Sequence, residues 1–173
     1  KDAVNKGVFL VSEDRKGEGL FLIRSAKENL TISRNDRSFF LNLKKERNLV
    51  EESIQKLQIK VFSQDQEVGN LSGGNQQKVV ISRWLLEEGD VYIFDEPTKG
   101  VDVGAREEIY KLIEKLAMEQ KIVIMVSSNM PELISMSDRI GVMRDGRLVN
   151  ILDSEEATEG VMAIIWIWDA ITG

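Results

Sequence analysis

The sequence predicts an α/β fold with a parallel core, a helical insertion in its middle and an antiparallel hairpin towards its end. Three observations carry this. Two near-continuous apolar runs, "VYIF" at 91–94 and "IVIMV" at 122–126, have the pattern of parallel strands covered on both faces. Between them, "AREEIYKLIEKLAMEQ" repeats apolar residues at Ile109, Leu112, Ile113 and Leu116, the spacing of an amphipathic helix. Further on, "RIGVMRDGRLVNIL" alternates around Asp145-Gly146, a dipeptide suited to a two-residue hairpin turn.

Taken in order, "GVFLVSEDRKGEG" reads as a short buried strand, Val8 to Val11, that ends in a charged loop. The stretch from about Ser25 to Glu88 has a different texture. It is polar and charge-rich, shows helical spacings such as Leu49, Ile54 and Leu57, and offers no convincing strand. Within it, "LSGGNQQKVVISRWLL" places two glycines ahead of a helical run in which Val80 pairs with Trp84 and Ile81 with Leu85. The charge run "NLKKERNLVEE" reads as a solvated helix face. "MPELISMSD" predicts a short helix with Pro131 in its first turn.

Composition narrows the chemistry. Hydrophobic and charged fractions of 42% and 30% over 173 residues are those of a globular chain. The net charge of −6 argues against a nucleic-acid binder. Without cysteine or histidine, thiolate chemistry and imidazole bases are excluded from this chain. No apolar run reaches the about 18–20 residues that span a bilayer, "VMAIIWIW" at 161–168 being the longest candidate. Lys1 is not a natural initiator, so the sequence is expected to be a fragment.

Two features point to phosphate chemistry. Gly73 and Gly74 open a helix whose first N–H groups lack intrahelical acceptors, an end that suits an anion. Asp95 and Glu96 stand where a buried strand gives out, the place where open α/β sheets bind ligands. Asp95 is placed to hold Mg²⁺ and Glu96 to orient or deprotonate an attacking water, although a turn that merely ends the strand explains "DEP" as well.

The spacing sharpens the reading. Ser72 precedes Asp95 by 23 residues, with a helix and a strand between, and Asp102 follows Asp95 by seven. With these spacings, "LSGGNQQK", "VYIFDEPT" and "KGVD" resemble the signature, Walker B and D-loop motifs of the nucleotide-binding cassette of ABC transporters. The resemblance runs from about Gly7 to Ala157. "VSEDRKGEGL", "DEPTKGVDVGA" and "MVSSNMPELISMSDRIGVMRDGRLV" are similar to the second cassette of the tandem-cassette ATPases that energise uptake of ribose, galactose, arabinose or xylose.

That resemblance implies a P-loop NTPase fold, RecA-like, with a helical signature subdomain. Residues 1–24 would be a strand and Q-loop-like segment of the core, 25–88 the helical subdomain and 89–160 the core with Walker B, D-loop and switch region. Residues 161–173 would be an atypical apolar tail. It implies ATP and Mg²⁺ as cofactors, with Asp95 on the metal and Glu96 catalytic. Ser72, Gly73, Gly74 and Asn75 would face the γ-phosphate of an ATP held by the opposing cassette, and Asp102 would communicate across the cassette interface. It also implies membrane permease subunits as partners and a peripheral place on the cytoplasmic face of the membrane. Sugar choice would belong to the permease and binding protein.

The sequence departs from the family pattern in three places. The phosphate loop G-x-x-x-x-G-K-[ST] is missing and is expected upstream of Lys1, so the chain alone is expected to bind ATP poorly and not to hydrolyse it. Glu13 aligns with the glutamine that senses Mg²⁺ and the membrane partner, and adds negative charge near the γ-phosphate. Ser128 aligns with a phosphate-contacting histidine; it can donate one hydrogen bond but carries no positive charge. Both changes argue against high turnover, while the retained Glu96 argues against a dead site.

A second reading is therefore a non-catalytic cassette half that completes the partner's site through Ser72 to Gly74. Soluble ABC ATPases of chromosome organisation or DNA repair rank behind it, since no sustained heptad repeat is present. Arg15 and Lys16 fit a nucleotide-facing or permease-facing surface and plain solvent equally. The tail, with Trp166 and Trp168, reads first as an extra edge strand or packed terminus, then as an interface patch, and last as a membrane contact. An incomplete sheet would leave an exposed edge able to pair with another copy, so self-association of the fragment is expected to be possible.

Overall fold

The computed structural model describes residues 2–33, 43–158 and 160–161. The chain divides into two compact units, 1–124 and 125–173. In the first unit a short helix α1 (Asp2–Asn5) leads into strand β1 (Val8–Val11), and a π-helical turn (Arg15–Gly19) follows at once. The charged loop expected there is thus partly helical, and the Asp14 side chain accepts from Gly17 N–H at its start.

The middle of the chain is built from helices α2 (Ala26–Thr31), α3 (Leu43–Lys56) and α4 (Gly73–Leu85), with a 3₁₀ turn at Val68–Asn70. Local chemistry sets their starts. Ser25 and Glu28 form a reciprocal capping box on α2. The two Ser25 hydrogen bonds hold the Glu28 carboxyl below its usual range. Helix α3 exposes Lys44, Lys45, Arg47 and Glu51 and buries Val50 and Ile54, so the charge run from Lys44 onward is a solvated face.

A buried asparagine joins the helices. Asn29 is fully buried, accepts from Phe21 N–H (2.9 Å) and donates to the carbonyls of Phe21 and Ser25 (3.0 Å each). Arg83 of α4 donates to the Asn29 backbone and side-chain oxygens at 2.7 and 3.2 Å. Burial pushes that guanidinium below its ordinary value, and these charge-assisted bonds offset the desolvation.

Strand β2 (Val91–Asp95) pairs parallel to β1 in the register Val8↔Val91 to Val11↔Phe94. Helix α5 (Val103–Met118) then leads to β3 (Ile122–Val126), and the sheet order is β1-β2-β3. Phe9, Val11, Tyr92 and Phe94 are buried on one face, where Trp84 of α4 stacks on Phe9 at 5.0 Å. Each such side chain contributes about 1.5–3 kcal/mol on burial.

The opposite face departs from the expectation of two-sided cover. Leu10, Ile122 and Ile124 are 52, 59 and 47% exposed. A continuous apolar run reports that both faces are suited to burial, not that both are buried here.

In the second unit, α6 (Met130–Met136) carries Pro131 in its first turn and Asn129 as its cap. Strands β4 (Arg139–Arg144) and β5 (Arg147–Asp153) form the expected hairpin. Asp145 and Gly146 both have positive φ, 47° and 77°, as a turn that matches the strand twist requires. Ile140 and Ala157 form a small core with Leu133, Ile134 and Leu152 around it. Of the tail, Val161 is described and exposed; residues 162–173 lie outside the described residues.

Candidate functional site

The carboxyl ends of β1 and β2 bring the first group of residues together. Asp95 is the last residue of β2, half-buried, and Glu96 follows with φ 47°. A left-handed glutamate is uncommon and costs on the order of 1 kcal/mol or more. The turn that needs it is closed by Lys99 N–H bonding Glu96 C=O (3.1 Å) and by Gly100 at φ 67°. Glu13 arrives from the neighbouring strand, and its Oε1 accepts from Lys99 Nζ at 2.5 Å. That hydrogen bond, then the charge of Glu13 and the fields of Glu96 and Asp95, raise the Lys99 ammonium above the usual lysine range. Glu13 pairs with that cation directly, while the charges of Glu96 and Asp95 act on it without a direct contact to Lys99 among the described ion pairs.

The second group lies at the start of α4. Ser72 caps the helix; its Oγ accepts from Asn75 Nδ2 (2.9 Å) and, more weakly, from Asn75 N–H (3.5 Å). Asn75 Oδ1 in turn accepts from Lys60 N–H (2.8 Å), which fixes the asparagine. The Ser72 hydroxyl keeps its proton as a donor. Asp102 caps α5, with Oδ1 accepting from Ala105 N–H at 3.0 Å, so one of its oxygens is committed to the fold.

Packing accounts for part of the double glycine. A Cβ on Gly74 would sit 2.4 Å from the Ala105 Cβ, which holds α4 close to α5. A Cβ on Gly73 would lie 3.0 Å from Gly100 O and 3.2 Å from Arg15 Nη2. Below this contact, buried Lys78 of α4 pairs with Glu108 of α5 and donates to Gln58 C=O (3.0 Å).

Arg15 links the two groups. Its Nη1 donates to Lys99 C=O (2.8 Å) and its Nη2 to Gly100 C=O (3.3 Å). The sequence left Arg15 open between a binding surface and solvent, and did not single out Lys99. Their partners lie 84 to 86 residues away, a separation that no local periodicity reports. Ser128 belongs to the second unit, is exposed, and precedes Asn129, which caps α6. Beside it Ser127 Oγ donates to the buried Glu132 carboxylate (2.5 Å).

Among the described residues no three acidic side chains are arranged to hold a metal ion. Glu13 is occupied by Lys99, and Asp95 is a half-buried carboxylate at a strand end. That donor set fits Mg²⁺, which is commonly bound by one or two carboxylates together with substrate phosphates.

Residues 3–99, more than half of the chain, match the family model described as ABC transporter. The ribose import ATP-binding protein of Caldanaerobacter subterraneus subsp. tengcongensis is 48% identical over 163 residues, covering 92% of this chain and 33% of that protein. The galactose/methyl galactoside import ATP-binding protein of Clostridium tetani is 48% identical over 157 residues, covering 88% and 31%. An arabinose import ATP-binding protein of Burkholderia cenocepacia is 48% identical over 163 residues, covering 91% and 32%. The chain thus spans about a third of the length of the curated relatives it matches. Among solved structures, the dimeric post-hydrolysis state of the ATP-binding cassette MJ0796 bound to ADP and Pi matches with TM-score 0.71 at 23% identity. That match covers 86% of this chain and 63% of the other, and shows the P-loop NTPase fold of a cassette. A helix opened by "LSGG", packed beside the loop that follows "DEP", is thus joined to a family match over more than half the sequence, and the chain belongs to the ABC transporter family.

Proposed function

We propose that the chain is the C-terminal part of the second cassette in the energising subunit of a sugar importer, where nucleotide-driven closure of two cassettes is coupled to a membrane permease. The observation that carries this is the juxtaposition of the α4 start with the loop bearing Glu96 and Asp102, bridged by Arg15. It occurs in a chain close to half identical to proteins named for ribose, galactose and arabinose import. In this reading residues 1–24 and 89–160 are the nucleotide-binding core, 25–88 the signature subdomain and 161–173 an appended tail. The phosphate loop is supplied upstream of Lys1.

The residues divide the work. Asp95 would hold Mg²⁺, which when bound would supply charge neutralisation at the phosphates. Glu96 orients the attacking water and takes its proton, the left-handed backbone fixing where its carboxylate starts. Ser72 and the N–H groups of Gly73 and Gly74 donate to the γ-phosphate of the opposing cassette's ATP, and Asn75 steadies the Ser72 hydroxyl. Glu13 flanks the nucleotide, Ser128 is assigned a nucleotide contact on the family resemblance alone, and Asp102 faces the other cassette through its remaining oxygen. The partners are a second cassette and permease subunits, with the chain peripheral on the cytoplasmic face. No helix among the described residues is long and apolar enough to cross a membrane.

The test is Glu96→Gln in the full-length subunit with its permease, scored by sugar uptake and ATP hydrolysis. Loss of both supports the catalytic reading. Retained uptake, combined with loss on Ser72→Ala, favours the second reading, a cassette half that completes its partner's site. The engagement of Glu13 with Lys99, and Ser128 in place of a histidine, are the observations on that side.

A further inference from the structure

We propose that Arg15 is a positioning residue: it sets the start of α4 against the loop that carries Glu96 and Asp102, and thereby aims the phosphate-facing end of that helix. The proposal rests on the functional reading above and deepens it.

Three segments distant in sequence meet on the Arg15 guanidinium. The side chain leaves the π-helical turn after β1 and donates to Lys99 C=O (2.8 Å) and Gly100 C=O (3.3 Å). Its Nη2 also lies 3.2 Å from where a Cβ would stand on Gly73, and 3.2 Å from one on Gly100. Two glycines, Gly73 and Gly100, thus lie against the guanidinium, and the planar fork stands in the space their side chains would take. Glu13, two residues earlier, grips the same loop through Lys99 Nζ. One turn thus holds the 99–100 loop twice, once through backbone carbonyls and once through charge.

The arrangement has a cost. Arg15 Nε is buried without a hydrogen-bond partner, and burial lowers the guanidinium below its ordinary value. A planar donor pair fixes angle as well as distance, which an ammonium does not. The proposed role of Arg15 runs through the α4 start and the 99–100 loop, the two segments its guanidinium meets. The α4 start acts only when two cassettes have closed. Displacing it therefore changes turnover and leaves ground-state MgATP binding alone.

The experiment is steady-state MgATP hydrolysis by the full-length subunit with its permease, comparing Arg15→Gln, Arg15→Lys and Glu96→Gln. Arg15→Gln is expected to lower kcat about tenfold while KM for MgATP stays within about twofold. Its melting temperature is expected to stay within about 3 °C. Arg15→Lys, which retains charge and donors but not the fork, is expected to recover about half of the lost rate. Unchanged kcat in Arg15→Gln, a change in KM matching that in kcat, or equal loss in both variants overturns the proposal. If Arg15→Gln does not fold, Arg15→Lys decides: lowered kcat at constant KM supports the role and wild-type kinetics overturn it. Glu96→Gln separates the two failures, since intact hydrolysis there refutes the catalytic reading while an Arg15 effect on the whole subunit still stands.

Discussion

Replacing Gly74 by alanine sets two effects of opposite sign against each other. On helix propensity alone the change stabilises, by at most about 1 kcal/mol. The structure predicts the reverse. The new methyl carbon would lie 2.4 Å from the Ala105 Cβ. Carbon atoms rest about 3.5–4.0 Å apart, so α4 and α5 must separate by roughly 1.1–1.6 Å at this point. Overpacking of that kind costs about 1–3 kcal/mol. The contact is between two backbone-anchored carbons, and neither can rotate away. The net expectation is a loss of about 1–2 kcal/mol, hence a melting temperature lower by roughly 2–8 °C for a protein of this size. Scanning calorimetry of the purified protein measures it. Ala105→Gly in the same background removes the clash, and the pair of changes should be non-additive, the double variant regaining part of the loss. A Gly74→Ala variant that melts at or above the parent refutes the packing account and returns the glycine to a purely phosphate-binding explanation.

Two further outcomes follow from particular residues. The raised Lys99 ammonium contributes stability that is fully present below the ordinary lysine value and is lost as pH climbs through its higher folded value. Lys99→Met should flatten that alkaline fall in a pH series of urea midpoints, and an unchanged alkaline limb would show that the ion pair does not couple to folding. The bare sheet face of Leu10, Ile122 and Ile124 should drive concentration-dependent association of the 173-residue chain, and Ile124→Thr should weaken it in light scattering. Association that is indifferent to this change would place the contact at a sheet edge or elsewhere.

Much of the chain could be read without coordinates because its signals are local. The strand at 8–11, the helices opened by Ser72 and Asp102 and the turn at Asp145-Gly146 depend on residues within a few positions of one another. Caps, apolar periods and φ preferences act at that range. The spacing of "LSGG", "DEP" and "GVD" was enough to carry the family resemblance. Tertiary structure decided the rest. That Lys99 pairs with Glu13, and that Arg15 holds the Lys99–Gly100 backbone, depends on β1 and β2 lying side by side in parallel, which brings residues some 85 positions apart into contact. Gly74 looked like a phosphate residue and is also a contact point between helices, because a missing Cβ serves either purpose. The strands at 91–95 and 122–126 were legible as apolar, but apolarity records which surface can be buried. Only the packing determines which of the two faces is covered.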